Sequence, residues 1–196
     1  VLNLKYIVLA SSSARRKEFL EKYNINFKIQ KSNIKENIHY NVSPETTAMS
    51  LAFQKAINVA ENTKKNSIVI AADTIIYFDN KILGKPKDKQ DAKKMLLNLS
   101  GKEHYVYTGI AIVNSGTNEK KVDYSKTKVK FRNLTEDMID NYLLQDEYKD
   151  KAGSYGIQGK GEIFVESIEG SYTNVVGLPI VKLDKLLKEY FEISLI

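Results

Sequence analysis

Three serines and two arginines near the N-terminus, an aspartate inside an apolar strand and a lysine on an apolar helix face are suited to chemistry on an anion. In Leu9-Ala10-Ser11-Ser12-Ser13-Ala14-Arg15-Arg16 an apolar run ends in small hydroxylated residues, and two arginines then open a helix. Such a helix start offers backbone N–H groups and a favourable dipole to a phosphate. Arginine adds planar, bidentate donors for phosphate oxygens. It occurs only at 15, 16 and 132 in a chain that otherwise draws its positive charge from lysine. A serine N-cap followed by solvated charges explains the same residues without a ligand.

Asp73 follows Ile68-Val69-Ile70-Ala71-Ala72 and precedes Thr74-Ile75-Ile76. A carboxylate desolvated there without a partner costs at least several kcal/mol, on the order of what burial of an ion demands. It therefore needs a cation or a set of backbone N–H groups. Lys55 shares a helical stripe with Ala48, Leu51, Ala52, Ala56 and Val59. A lysine so placed must snorkel, pair with a carboxylate or meet a ligand anion. One shared polar pocket accounts for both residues.

Gly84-Lys85-Pro86 combines a glycine that admits close approach with a proline that holds the loop extended, so that Lys85 projects. Glu36 is a further candidate carboxylate. His104 opens a strand and His39 lies in a polar loop, which gives neither a histidine metal cluster nor a Ser-His-Asp triad. With no cysteine, disulfides, thiolate metal sites and a cysteine nucleophile are excluded.

The elements that must position these residues alternate between strand and helix. Residues 4–10 read as a strand, and 14–23 as a helix with Phe19, Leu20 and Tyr23 on one side. A short strand spans 26–30. Ser43-Pro44 starts a helix that runs to about Asn62, with Ser as N-cap and Pro in the first helical position. Ser67–Phe78 is a strongly apolar strand, Asp79-Asn80 a turn, and Asp88 caps a helix through Leu99. Residues 104–114 and 121–132 form a long hairpin. Thr135 caps a helix with Met138, Ile139, Tyr142 and Leu143 at helical spacing. Six glycines (153, 156, 159, 161, 170 and 177) follow within 151–179. Pro179 opens a last helix with Leu183, Leu186, Leu187 and Tyr190 on one stripe. The fold class is mixed α/β.

Hydrophobic residues make up 42% of the 196 and charged residues 28%, as in a globular protein with a substantial core. No apolar run approaches the roughly 20 residues needed to cross a bilayer, and the first residues lead directly into a strand. A cytoplasmic protein without a membrane partner is expected. The net charge of +6 suits an anionic ligand, but the lysines are dispersed; Lys64-Lys65 and Lys120-Lys121 read as solvated turns. Nucleic-acid binding is not indicated.

Taken together, LASSSARR, AADT, GKP, SGKEHYVYTG at 100–109, KAGSYGIQGKG at 151–161 and NVVGLP at 174–179 resemble the Maf family of nucleotide pyrophosphatases. The resemblance covers nearly the whole chain, in the family's order. It implies one domain over 1–196, similar to the inosine-triphosphate pyrophosphatases: a curved mixed sheet flanked by helices, in two lobes around a cleft. It also implies hydrolysis of nucleoside triphosphates to monophosphate and pyrophosphate, assisted by a divalent cation (Mg²⁺ or Mn²⁺), and is compatible with a homodimer.

By that resemblance Asp73 matches the family's essential aspartate, as general base, metal ligand or both. Lys55, Lys85 and Glu36 match its other functional polar positions, with Glu36 a metal ligand beside Asp73. Ser11, Ser13, Arg15 and Arg16 match its phosphate-binding segment. Arg15, Thr74 and Gln158 match the trio that divides the family by substrate, and resemble the branch acting on dTTP and UTP. The Gln158 amide can both donate to and accept from a pyrimidine edge. Asn33 and Lys35 stand where the family often has acidic residues ahead of the glutamate matched by Glu36. The same chemistry on another base, and a non-catalytic nucleotide- or nucleic-acid-binding regulator of septum formation, are the rival readings.

Overall fold

The computed structural model describes residues 6–23, 25–34, 42–117 and 119–196. Its seven-stranded mixed sheet has the order β2-β1-β3-β5-β6-β7, with β4 paired to β3. The strands are β1 (Tyr6–Leu9), β2 (Phe27–Ile29), β3 (Ser67–Phe78), β4 (Lys81–Leu83), β5 (Glu103–Asn114), β6 (Lys120–Phe131) and β7 (Val165–Glu169). The helices are α1 (Ala14–Glu21), α2 (Pro44–Glu61), α3 (Lys89–Leu99), α4 (Glu136–Leu143), α5 (Tyr172–Val176) and α6 (Ile180–Phe191), with tight 3-10 turns over Ala152–Ser154 and Lys160–Phe164. Among the described residues no helix is long and apolar enough to cross a membrane.

β1 runs parallel to both β2 and β3, with Leu9 opposite Ile29 on one side and Ile70 on the other. Antiparallel pairs β3–β4 and β6–β7 make the sheet mixed. β5 and β6 are neighbours joined by a turn too short for a parallel crossover.

The chain forms two compact units. The first comprises residues 1–73, 108–125 and 177–196; the second comprises 74–107 and 126–176. In the first, Val8, Ala10, Val69, Ala71, Ala111 and Val113 form one buried cluster with Ala52, Ala56 and Val59 of α2. The intervening strand residues Ile7, Leu9, Ile68, Ile70, Ile110 and Ile112 point the opposite way and are buried too. A sheet buried on both faces explains why its strands read as continuous apolar runs. The alanine-rich face of α2 permits backbone contact: a Cβ on Gly109 would lie 2.2 Å from the Ala48 carbonyl oxygen.

Local side-chain bonds start the helices where expected. The hydroxyls of Ser43 and Thr135 accept from Thr46 N and Met138 N, and the Asp88 carboxylate accepts from Asp91 N. In the second unit α3 packs on α4 and on the 152–154 turn. Buried Asn174 donates to Val106 O at 3.1 Å and to Thr127 Oγ1 at 2.9 Å, while Thr127 and Ser171 bond reciprocally. These bonds fix the return of the chain after β7.

Two expectations need correction. On α6 the buried residue beside Leu187 is Phe191, whereas Tyr190 is 39% exposed. Lys120 and Lys121 belong to β6 and not to a turn; Lys121 lies 3.7 Å above the Tyr190 ring, which accounts for that tyrosine's surface position. On α4, Ile139, Tyr142 and Leu143 are buried and Met138 is half-buried.

Candidate active site

Ala10 N donates to Ile70 O at 2.7 Å, so the serine turn leaves the sheet beside the stretch of β3 that leads to Asp73. This is the carboxyl end of β1, where open α/β sheets commonly bind ligands. Ser11 is buried and its hydroxyl accepts from Ser13 N at 3.1 Å. Ser13 occupies the N-cap of α1 with extended backbone, yet its hydroxyl makes no capping bond. The simple capping explanation of this serine therefore fails.

The arginines differ in their settings, although both are half-buried. Arg16 Nε donates to Gly177 O at 2.7 Å, and Nη1 lies 3.4 Å from Ser11 Oγ. The guanidinium thus braces the turn against the segment between α5 and α6. Gly177 has φ 114, a conformation that favours glycine.

Lys55 and Asp73 meet as expected. α2 carries the lysine, β3 carries the aspartate, and Lys55 Nζ contacts Asp73 Oδ1 in a direct ion pair. The two side chains are 15% and 12% exposed. Each compensates the other's desolvation, which resolves both sequence anomalies at once.

Thr74 follows Asp73 on β3 and belongs to the second unit, as do Lys85 and Gln158. Lys85 is exposed in the loop after β4, and Gly153 N donates to Gly84 O at 3.0 Å. That bond ties the GKP loop to the glycine-rich loop in which Gln158 stands exposed. Glu36 and His39 lie outside the described residues.

Two residues were undervalued by sequence reasoning. His104 does more than open its strand: it is 1% exposed, and its Nε2 lies 2.7 Å from the Tyr155 hydroxyl. Burial pushes its imidazole down to about 3 and holds the Tyr155 phenol well above its usual range. A cavity of about 650 Å³ lies along α4, lined by Met138, Tyr142, Ile163 and Phe164 and by Gly159 and Lys160. None of the predicted site residues lines it.

Among the described residues no three acidic or histidine side chains cluster as a metal cage. Mg²⁺ instead commonly takes one or two carboxylates together with substrate phosphates. The partly solvated Asp73 carboxylate fits that second mode of binding.

The profile of the Maf-like protein family matches residues 6–190. A dTTP/UTP pyrophosphatase of Clostridioides difficile (strain 630) is 50% identical over 96% of this chain and 97% of its own. One from Bacillus cereus (strain G9842) is 52% identical over 95% of this chain and 96% of its own. Among solved structures, a HAM1 protein from Coxiella burnetii superposes with a TM-score of 0.47 at 16% identity, covering 65% of this chain and 73% of that one.

Proposed function

We propose that this chain, which belongs to the Maf-like protein family, is a nucleoside triphosphate pyrophosphatase that hydrolyses dTTP and UTP to the monophosphate and pyrophosphate. The observation that carries the reading is the Lys55–Asp73 pair in the same unit as the serine–arginine turn. It provides a fixed carboxylate and cationic donors for chemistry on a polyanion.

Water attacks the α-phosphorus, and the bond from that phosphorus to the α–β bridging oxygen breaks as pyrophosphate leaves. Asp73 orients the water and takes its proton. Lys55 fixes the carboxylate's orientation. The turn's N–H groups, with Arg15 and Arg16, bind phosphate oxygens, and Lys85 adds positive charge. Positioning and electrostatics supply most of the catalysis. A divalent cation such as Mg²⁺ or Mn²⁺, held by Asp73 and Glu36, would offset phosphate charge. Gln158 reads the pyrimidine edge, with Arg15 and Thr74 completing substrate selection.

Pyrophosphate release is to be measured over canonical and modified triphosphates, with and without Mg²⁺ or Mn²⁺. The expected result is fastest turnover of dTTP and UTP, dependent on the cation. Preference for inosine or 7-methylguanosine triphosphate overturns the substrate assignment, and no release from any triphosphate overturns the activity.

A further inference from the structure

The loop that carries Gln158 is held at both ends by hydrogen-bonded polar groups. At its root the Tyr155 hydroxyl meets His104 Nε2 at 2.7 Å. Phe131 stands edge-on to both rings, with centroids 4.9 Å from His104 and 4.7 Å from Tyr155. His104 Nδ1 has no hydrogen-bond partner. At the far end Lys160 N donates to Glu147 Oε2 at 3.0 Å. Between these anchors Gln158 is exposed.

The backbone leading to Tyr155 is unusual. Gly153 has φ 66 and Ser154 φ 67, so a non-glycine residue is held in the left-handed region. Such a conformation persists only where its surroundings determine it. On the far side, a Cβ on Gly159 would lie 2.3 Å from Glu147 Oε1. The loop has little room to choose another path.

Stability does not explain the buried pair. Two apolar side chains of similar shape could fill the site without leaving a ring nitrogen unpaired. A neutral, enclosed hydrogen bond instead specifies one geometry over competing packings. We propose that His104 and Tyr155 are positioning residues that fix the root of the 156–159 turn, aim Gln158, and so set base selectivity without taking part in phosphoryl chemistry. The proposal rests on the assignment of Gln158 as the base reader.

The test compares kcat and KM for UTP and CTP by pyrophosphate release in the wild type, Tyr155→Phe, Gln158→Ala and their double variant. Tyr155→Phe keeps the ring and removes the bond. It is expected to lower the UTP-to-CTP ratio of kcat/KM about tenfold, the equivalent of one lost hydrogen bond. The loss should lie in KM for UTP, with kcat within about twofold. In the Gln158→Ala background the same change should leave the ratio unmoved. His104→Gln, whose amide can still bond the hydroxyl, should retain most of the selectivity, whereas the shorter His104→Asn should not.

A wild-type ratio in Tyr155→Phe, or the same loss in the Gln158→Ala background, overturns the proposal. Should Tyr155→Phe not fold, equal ratios in His104→Gln and His104→Asn overturn it. Failure of the underlying assignment is distinct: Gln158→Ala alone would then keep the wild-type ratio.

Discussion

Lys55 on α2 and Asp73 on β3 form a largely buried ion pair whose side chains both retain a solvent-accessible edge. Full burial would have left a structural bridge with nothing to offer a substrate. Full exposure would have left the lysine ammonium screened by water.

Asp73→Asn keeps the shape and an acceptor for Lys55 but removes the carboxylate proposed as the base. Turnover of dTTP and UTP should fall by about 10²–10⁴-fold. Urea denaturation should show a loss of about 3 kcal/mol, because the amide still bonds the lysine but no longer compensates its charge. Full activity in this variant overturns the mechanism.

Arg16→Lys keeps the charge and removes the planar fork that reaches both Gly177 O and Ser11 Oγ. KM for the triphosphate should rise about tenfold, since a point charge cannot hold both partners. An unchanged KM would show that the brace does not shape the turn.

Gly109→Ala tests the close approach of α2 to β5. The added Cβ meets the Ala48 carbonyl oxygen at 2.2 Å and Met49 N at 2.5 Å, both backbone atoms that cannot rotate aside. A loss of about 3 kcal/mol in urea unfolding is expected. Activity should fall as well, since the displaced helix carries Lys55.

Acid should destabilise the protein through His104, whose imidazole is pushed from 6.5 to about 3 by burial. Above 6.5 neither state is charged and the residue makes no pH-dependent contribution. As pH falls below 6.5 the unfolded chain binds a proton that the folded chain refuses. Stability then declines by about 1.4 kcal/mol per pH unit until the folded value is reached. Urea unfolding measured between pH 6.5 and 5 should show this decline, and His104→Gln should remove it.

Much of the architecture was legible because it is locally encoded. Ser43, Asp88 and Thr135 mark helix starts through bonds to backbone only three residues away. The Lys55–Asp73 pair was legible because a charge in an apolar run must find a partner. What stayed hidden depends on distant or unmarked groups. The acceptor for Arg16 is a backbone carbonyl, which leaves no trace in residue type. The depth of His104 follows from packing by Phe131 and Tyr155, and a strand-opening histidine beside a lysine and a glutamate gives no hint of it. Phe191 and Tyr190 fit the same helical stripe equally well, and the Lys121 ammonium distinguishes them.

Arg16 finds its carbonyl 161 positions further along the chain, in a unit assembled from three separate stretches of sequence. Translation delivers those stretches first, middle and last. A ribosome-bound chain therefore carries its serine–arginine turn unbraced until Gly177 has emerged. A chain cut short before Gly177 is made with the turn present but without this brace.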